Sequence, residues 1–225
     1  MFNRNPITSL SELTPHNEWY EQDMSEGVIQ ALYEQHEWLY SDILPLAHQE
    51  GLKGQKLGFE SGPHCNISNA YHEISHLLEF LNTKPERVSF IEFGFEYSQL
   101  EVMGQMYNEP TTIQGIDREL RTFAIEFHLI NDHPTLSIDL DYFIEKSAPL
   151  CRYLGDFINI LSQGYLDADV VGYDDKPRIT WCADRLRTFV DNYSIEQLKR
   201  QWPEVIQRLK HSRDEIRELE QAGMW

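Results

Sequence analysis

The stretch "SNAYHEISHLLEF", residues 68–80, constrains the fold of this 225-residue chain most, because its apolar and polar residues alternate with a helical period. The apolar positions on the predicted buried side are Tyr71, Ile74, Leu78 and Leu81. His72 and His76 are four residues apart, so a helix places both imidazoles on one face, one turn apart. The stretch therefore predicts a helix that presents a histidine pair.

The histidine pair has the spacing of a metal site, HExxH. Two imidazole nitrogens on successive turns can each approach one cation to about 2 Å. Glu73 follows the first histidine and is the only Asp, Glu, Lys or Arg between 68 and 78. We therefore predict that it takes a proton from metal-bound water. The alternative is a helix without metal, in which one histidine is half-buried and the other exposed.

A third ligand is predicted from a second helix, "GIDRELRTFAIEFHLI", residues 115–130. Glu119 and Glu126 are seven residues apart, two turns along one face. We predict Glu119 as the ligand and Glu126 behind it, orienting a ligand or a water. The alternative is that both carboxylates are surface groups of an amphipathic helix. Other side chains that could compete as third ligand are His64, Cys65, His128 and His133.

Composition limits the class of protein. Hydrophobic residues make up 41% of the chain, which is enough for a core, and no run of 18 apolar residues predicts a membrane span. The net charge of −18 predicts that nucleic acids and anionic membranes are repelled. Three scattered cysteines without a CxxC pair, and an N-terminus without a basic and then apolar segment, predict a cytoplasmic protein.

The order of the patterns predicts an α+β fold, mainly helical, with a small sheet beside the HExxH helix. A first helix is predicted from about Ser25 through Ile43, and "RVSFIEFGFEYS", residues 87–98, has the composition of a strand. No linker is evident, so we predict a single domain, 1–225. Its two parts are a metal-binding core, 17–130, and a helical C-terminal layer, 131–225, in which a helix breaks near Pro149.

Three segments in this order, "YHEISH", "FGFEYS" and "ELRTFAIEF", resemble the elongation factor P hydroxylase family. Members have an HExxH helix, then an aromatic strand similar to "FGYWY", then a helix with the order Glu, Val, Lys, Pro, Gln, Ala, Leu, Glu, Trp. From Glu119 to Phe127 this chain matches both glutamates, the alanine and the final aromatic position without a gap. The resemblance covers about residues 60–130. Leu77 stands where the family has tryptophan, and a basic stretch that follows in the family is mostly missing here.

The resemblance implies a non-haem iron site made of His72, His76 and Glu119, which leaves positions on the metal open for oxygen. It implies hydroxylation of a protein side chain, a modified lysine on a translation factor in that family. It also implies that aromatic residues such as Phe95 and Tyr97 lie beside the pocket.

Three functions are compatible with these patterns. The first is an Fe(II)-dependent hydroxylase or monooxygenase, which the resemblance favours. The second is a zincin-type zinc metallopeptidase or other hydrolase, in which Glu73 is the general base and Glu119 completes the site. The third is a non-catalytic acidic protein that neutralises a basic partner, as an immunity protein neutralises a toxin.

Overall fold

The structure is a computed structural model that describes most of the helical part of the chain. The described residues are 5–13, 17–42, 64–83, 113–162, 164, 166, 170–172, 174–200, 202–204, 207, 218 and 221–223.

Seven helices dominate the described residues, which confirms the prediction of a mainly helical protein. They are α1 (Glu26–Gln35), α2 (Glu37–Asp42), α3 (Ile67–Thr83), α4 (Ile113–Asp132), α5 (Leu140–Ser147), α6 (Leu154–Ser162) and α7 (Lys176–Asn192). The predicted break near Pro149 is confirmed, since a 3₁₀ turn, Ala148–Cys151, separates α5 from α6. No helix among the described residues is long and apolar enough to cross a membrane.

Two three-residue strands pair antiparallel at the start of the two helical segments. Strand β1, Asp23–Ser25, lies beside β2, His64–Asn66, with Met24 opposite Cys65. Because β1 leads into α1 and β2 leads into α3, this pairing fixes where both helices begin. It is the only ladder among the described strands, and the strand predicted at 87–98 lies outside the described residues, so the small sheet that the sequence predicts there stays a prediction.

The prediction of one continuous first helix is wrong, because the chain breaks at His36 between α1 and α2. In a helix the Leu32 carbonyl would accept the His36 N–H, but here it accepts the Nε2–H of His133 at 2.8 Å. The His36 N–H instead donates to the Tyr33 carbonyl at 2.9 Å. A tertiary contact therefore ends α1 at Gln35, about two turns before the apolar periodicity ends at Ile43.

Helix α4 is the centre of the described fold, with α3 packed on one side and α7 on another. The predicted buried face of α3 is confirmed where it is described, at Tyr71, Ile74 and Leu78, and α4 buries Leu120, Phe123 and Ala124. One cluster of buried side chains extends from Ile7 to Trp202 and includes residues of both the 17–130 and the 131–225 ranges. The predicted ligands His72, His76 and Glu119 are thus on two neighbouring helices at the core.

Candidate metal centre

The histidine pair lies on the face of α3 that meets α4. The two imidazole rings are 4.6 Å apart between centroids and nearly perpendicular, at 82°. The side chains of His72 and His76 are 18% and 25% exposed, so both are largely withdrawn from solvent. The Phe123 ring of α4 packs against the His72 ring, with 4.4 Å between centroids, and limits its rotation.

Glu119 of α4 reaches both histidines. One carboxylate oxygen, Oε1, lies 3.1 Å from His72 Nε2, and the other, Oε2, lies 3.6 Å from His76 Nε2. Ligand atoms of the three residues lie within 4.8 Å of one another, and theirs is the only such group of three or more metal-ligating side chains found among the described residues. Two ligand atoms that are each about 2 Å from one ion lie roughly 3–4 Å apart. The donor set therefore fits a divalent cation.

Glu126 lies behind His72, on the side away from Glu119. Its Oε2 accepts the Nδ1–H of His72 at 3.0 Å, and its Oε1 accepts a short hydrogen bond from the Tyr20 hydroxyl. Glu126 is fully buried, so these two donors are needed to stabilise its carboxylate. A metal-binding histidine commonly donates its second ring N–H to a carboxylate in this way.

Thr122 has the corresponding position behind His76. Its hydroxyl donates to the Arg118 carbonyl at 3.0 Å, so its oxygen is free to accept the Nδ1–H of His76, which is 3.3 Å away. Because the Nδ1 atoms are hydrogen-bonded to Glu126 and to Thr122, both histidines direct Nε2 towards Glu119. The arrangement selects the tautomer in which Nε2 can bind a metal.

The charges of the site are strongly coupled. Burial alone lowers the pKa of His72, but the hydrogen bonds that its ring donates to Glu119 and Glu126 raise that pKa to about 10. Burial lowers the pKa of His76 to about 4. Burial also opposes the charge on Glu119, but the neighbouring His76 and His72 bring the pKa of this carboxyl down to about 2. In the metal-free protein His72 therefore supplies the positive charge between the two carboxylates.

Burial is also the largest influence on Glu126, and it raises the pKa of this carboxyl in spite of the hydrogen bond from His72. The pKa of Tyr20 is raised as well, by burial and by the nearby Glu126 charge, so its hydroxyl keeps its proton and can donate.

The structure thus brings together His72, His76 and Glu119, with Glu126 against His72. The side chain of Glu73 lies outside the described residues, as do Phe95 and Tyr97, so their predicted roles stay predictions.

Two of the competing ligands are engaged elsewhere. His128 Nε2–H donates to the Val190 carbonyl at 2.9 Å, and His133 donates to the Leu32 carbonyl. Both are structural hydrogen bonds that join helices. The side chains of His64 and Cys65 lie outside the described residues.

Two residues of the site, Thr122 and Tyr20, are missing from the sequence prediction. Thr122 lies three residues after Glu119 and four before Glu126, so the helical spacing of α4 could have identified it. Tyr20 follows a 3₁₀ turn, Asn17–Trp19, in a segment without a periodic pattern, so no sequence signal points to it.

Comparisons of this chain with protein-family models, curated proteins and solved structures find no match. The resemblance to elongation factor P hydroxylases is therefore neither supported nor contradicted by a relative. The function has to be argued from the site itself.

Proposed function

We propose that this chain is a metal-dependent enzyme whose ligands are His72, His76 and Glu119. The observation that supports the proposal is the convergence of these side chains from two packed helices, with a buried carboxylate behind His72. A helix pair held together only by packing needs no such arrangement, since an isolated buried carboxylate is costly. A protein that binds a cation uses both the inner ligands and the outer carboxylate.

The first candidate chemistry is hydroxylation of a protein side chain with Fe(II), which the family resemblance favours. A bound Fe(II) ion would supply redox chemistry with molecular oxygen, and a site with two histidines and one carboxylate leaves positions open for it. We propose a protein substrate, such as a translation factor. A nucleic acid or membrane partner is disfavoured by the net charge of −18.

The protein's own residues hold the ligands in place and manage protons. Glu126 keeps the Nδ1 proton on His72, and Thr122 does the same for His76, so the Nε2 atoms stay available. Phe123 covers one side of the His72 ring and excludes water from it. In this proposal Glu73 exchanges a proton at the reacting centre.

The second candidate chemistry is hydrolysis with zinc. It is supported by an observation that the first candidate shares: the whole HExxH stretch lies in one continuous helix, α3, while the carboxylate comes from another helix, α4. In zincins this arrangement makes the glutamate of the motif the general base, which here is Glu73. A bound Zn²⁺ ion would supply Lewis-acid activation of water.

The experiment that tests the proposal is element analysis of protein purified without a nickel column, paired with anomalous scattering at the iron and zinc edges. We expect about one transition metal per chain in the wild type and loss of the metal in His72→Ala and His76→Ala. His128→Ala is the matched control, because its ring bonds the Val190 carbonyl instead. Iron favours the hydroxylase and zinc the hydrolase. A protein without metal would overturn the proposal and favour the acidic binding protein.

A second experiment tests the role of Glu73. We expect Glu73→Gln to retain the metal, because the ligands are unchanged, and to lose turnover of the protein substrate. Mass spectrometry of substrate proteins detects either a gained oxygen atom or a cleaved peptide. A Glu73→Gln variant with wild-type turnover would contradict this role.

A further inference from the structure

The described site continues beyond Glu126 to Tyr20, in the N-terminal segment. We propose that Tyr20 is a positioning residue of the metal centre: through Glu126 it holds His72 in the orientation and tautomer that present Nε2 to the ion. This inference rests on the proposed function and adds a residue to it that is 52 positions from His72 in sequence.

The first argument is that the Tyr20 hydroxyl has a fixed position. Tyr20 is 2% exposed, and its ring makes edge contacts with Trp19 and Phe143, at 6.2 and 5.7 Å between centroids. A tyrosine held in this way can only aim its O–H at Glu126.

The second argument is that Glu126 depends on this donor. The carboxylate is fully buried, and among the described residues it accepts hydrogen bonds from Tyr20 on Oε1 and from His72 on Oε2. Without the hydroxyl, Oε1 is left in the core with no donor, and the carboxylate can rotate away from Nδ1. Loss of such an outer partner typically weakens metal binding by about 10–100-fold.

The third argument is which group donates and which accepts in the hydrogen bonds that link Tyr20, Glu126 and His72. The hydroxyl donates to Oε1, so Glu126 has no proton to give on that side, and Oε2 remains an acceptor for Nδ1–H of His72. This fixes the imidazole with its Nδ1 protonated, and the remaining nitrogen, Nε2, faces Glu119 at 3.1 Å. Tyr20 thus acts on the ligand through a buried carboxylate, without touching the ion.

The experiment is a zinc titration of the metal-stripped full-length protein against a competing chelator. We expect Tyr20→Phe, which removes only the hydroxyl oxygen, to raise the zinc Kd by about 10-fold. Tyr71→Phe is the matched control: Tyr71 is fully buried beside His72, yet its hydroxyl has no hydrogen-bond partner within the described part of the chain. We expect its Kd to equal that of the wild type. A Tyr20→Phe variant with wild-type Kd would overturn the inference.

A double-mutant cycle with Glu126→Gln separates positioning from general packing. If Tyr20 acts through Glu126, adding Tyr20→Phe to Glu126→Gln changes the zinc Kd by less than twofold. Additive effects would overturn the inference. If Glu126→Gln does not fold, nitrogen NMR of the His72 imidazole in the zinc-loaded proteins replaces the cycle: a changed Nδ1–H signal in Tyr20→Phe supports the inference, and a signal equal to that of the wild type overturns it.

The two proposals fail in different ways. A wild-type protein that binds no zinc, or that binds it equally well after His76→Ala, contradicts the metal centre and with it the inference. A wild type that binds zinc and loses it in His76→Ala, but is insensitive to Tyr20→Phe, contradicts the role of Tyr20 alone.

Discussion

At the scale of single residues, the pKa values of His36 and His72 are shifted in opposite directions, although burial lowers both. His72 lies between two carboxylates, which raise its pKa. His36 is 2% exposed and stacks on the ring of His133, with 5.8 Å between centroids and planes 8° apart. Burial lowers the pKa of His36 to about 4, although Asp132 lies 3.6 Å away and opposes this shift. His36 is therefore a neutral core residue at pH 7.

The lowered pKa of His36 predicts that the protein loses stability in mild acid. Its pKa is lower in the folded protein, about 4, than the ordinary 6.5, so the unfolded state binds the extra proton first. The stabilisation is complete above pH 6.5 and is lost as the pH falls from 6.5 towards 4, by up to about 3 kcal/mol. Urea unfolding with a chelator present, at several pH values, measures this loss.

The control for His36 is His36→Phe, which keeps an aromatic ring in the stack and cannot be protonated. We expect this variant to lose less stability than the wild type between pH 6.5 and 4, because the remaining pH dependence comes from other groups. Equal pH dependence of the two proteins would show that His36 is not the group responsible.

The single residues of the site differ in how far their sequence identifies them. The sequence predicts His72, His76 and Glu119, because helical spacing alone tells which face of its helix each residue occupies. Glu126 was predicted as the outer partner for the same reason. Tyr20 was not, because its contact depends on how the N-terminal segment packs against α4, and no local pattern records that packing.

At the scale of elements, the α3–α4 interface combines the candidate metal centre with an ion-pair cluster one turn away. Glu79 of α3 is 2% exposed, and it pairs with Arg118 at 3.2 Å and with Arg121 at 2.9 Å. Buried charges are tolerated only when they are paired and hydrogen-bonded, so this cluster sets the register of the two helices. The register in turn places Glu119 opposite the histidines.

Glu79→Gln is predicted to destabilise the protein by about 1–3 kcal/mol, because it leaves two partly buried guanidinium groups without their carboxylate. The loss stays moderate, since the Arg118 and Arg121 side chains are 17% and 32% exposed and can turn towards water. Chemical denaturation measures it. Glu145→Gln, at an exposed position of α5, is the control and should change stability by less than about 0.5 kcal/mol.

Among the elements, the helices of the site were predictable and the end of α1 was not. The faces of α3 and α4 follow from apolar spacing, and the break near Pro149 follows from the missing N–H of proline. The break at His36 depends on His133, 97 residues later in the chain, which takes the Leu32 carbonyl. The spacing of apolar residues cannot show that a distant histidine competes for a helix carbonyl. The sheet predicted from 87–98 lies outside the described residues and stays a prediction.

At the scale of the whole molecule, the metal centre is predicted to stabilise the folded state. The ligands come together only when α3 packs on α4, so the ion binds the folded chain and not the unfolded one. At a free metal concentration of about 100 times Kd, this adds about 2.7 kcal/mol. For a chain of this size that corresponds to a rise in Tm of roughly 5–10 °C.

Calorimetry with added zinc and with a chelator measures this rise. His76→Ala, which lacks one ligand, is the control and should show the same Tm in both conditions. A wild-type Tm that does not respond to zinc or to iron would contradict a metal centre. The predicted division into 17–130 and 131–225, the cytoplasmic location and the protein partner are properties of the whole molecule that no feature of the described residues tests.

Glu119 and the two histidines are on two helices that pack against each other. This placement has a consequence for engineering. The described donor atoms are positioned by the side-by-side packing of α3 and α4 and by the Glu79 cluster, and 29 residues, 84–112, join the two helices in sequence. Cleavage of the chain there should yield two fragments that co-purify and still take up the ion. A split version of this protein, expressed as two polypeptides, would then report their association by its metal content.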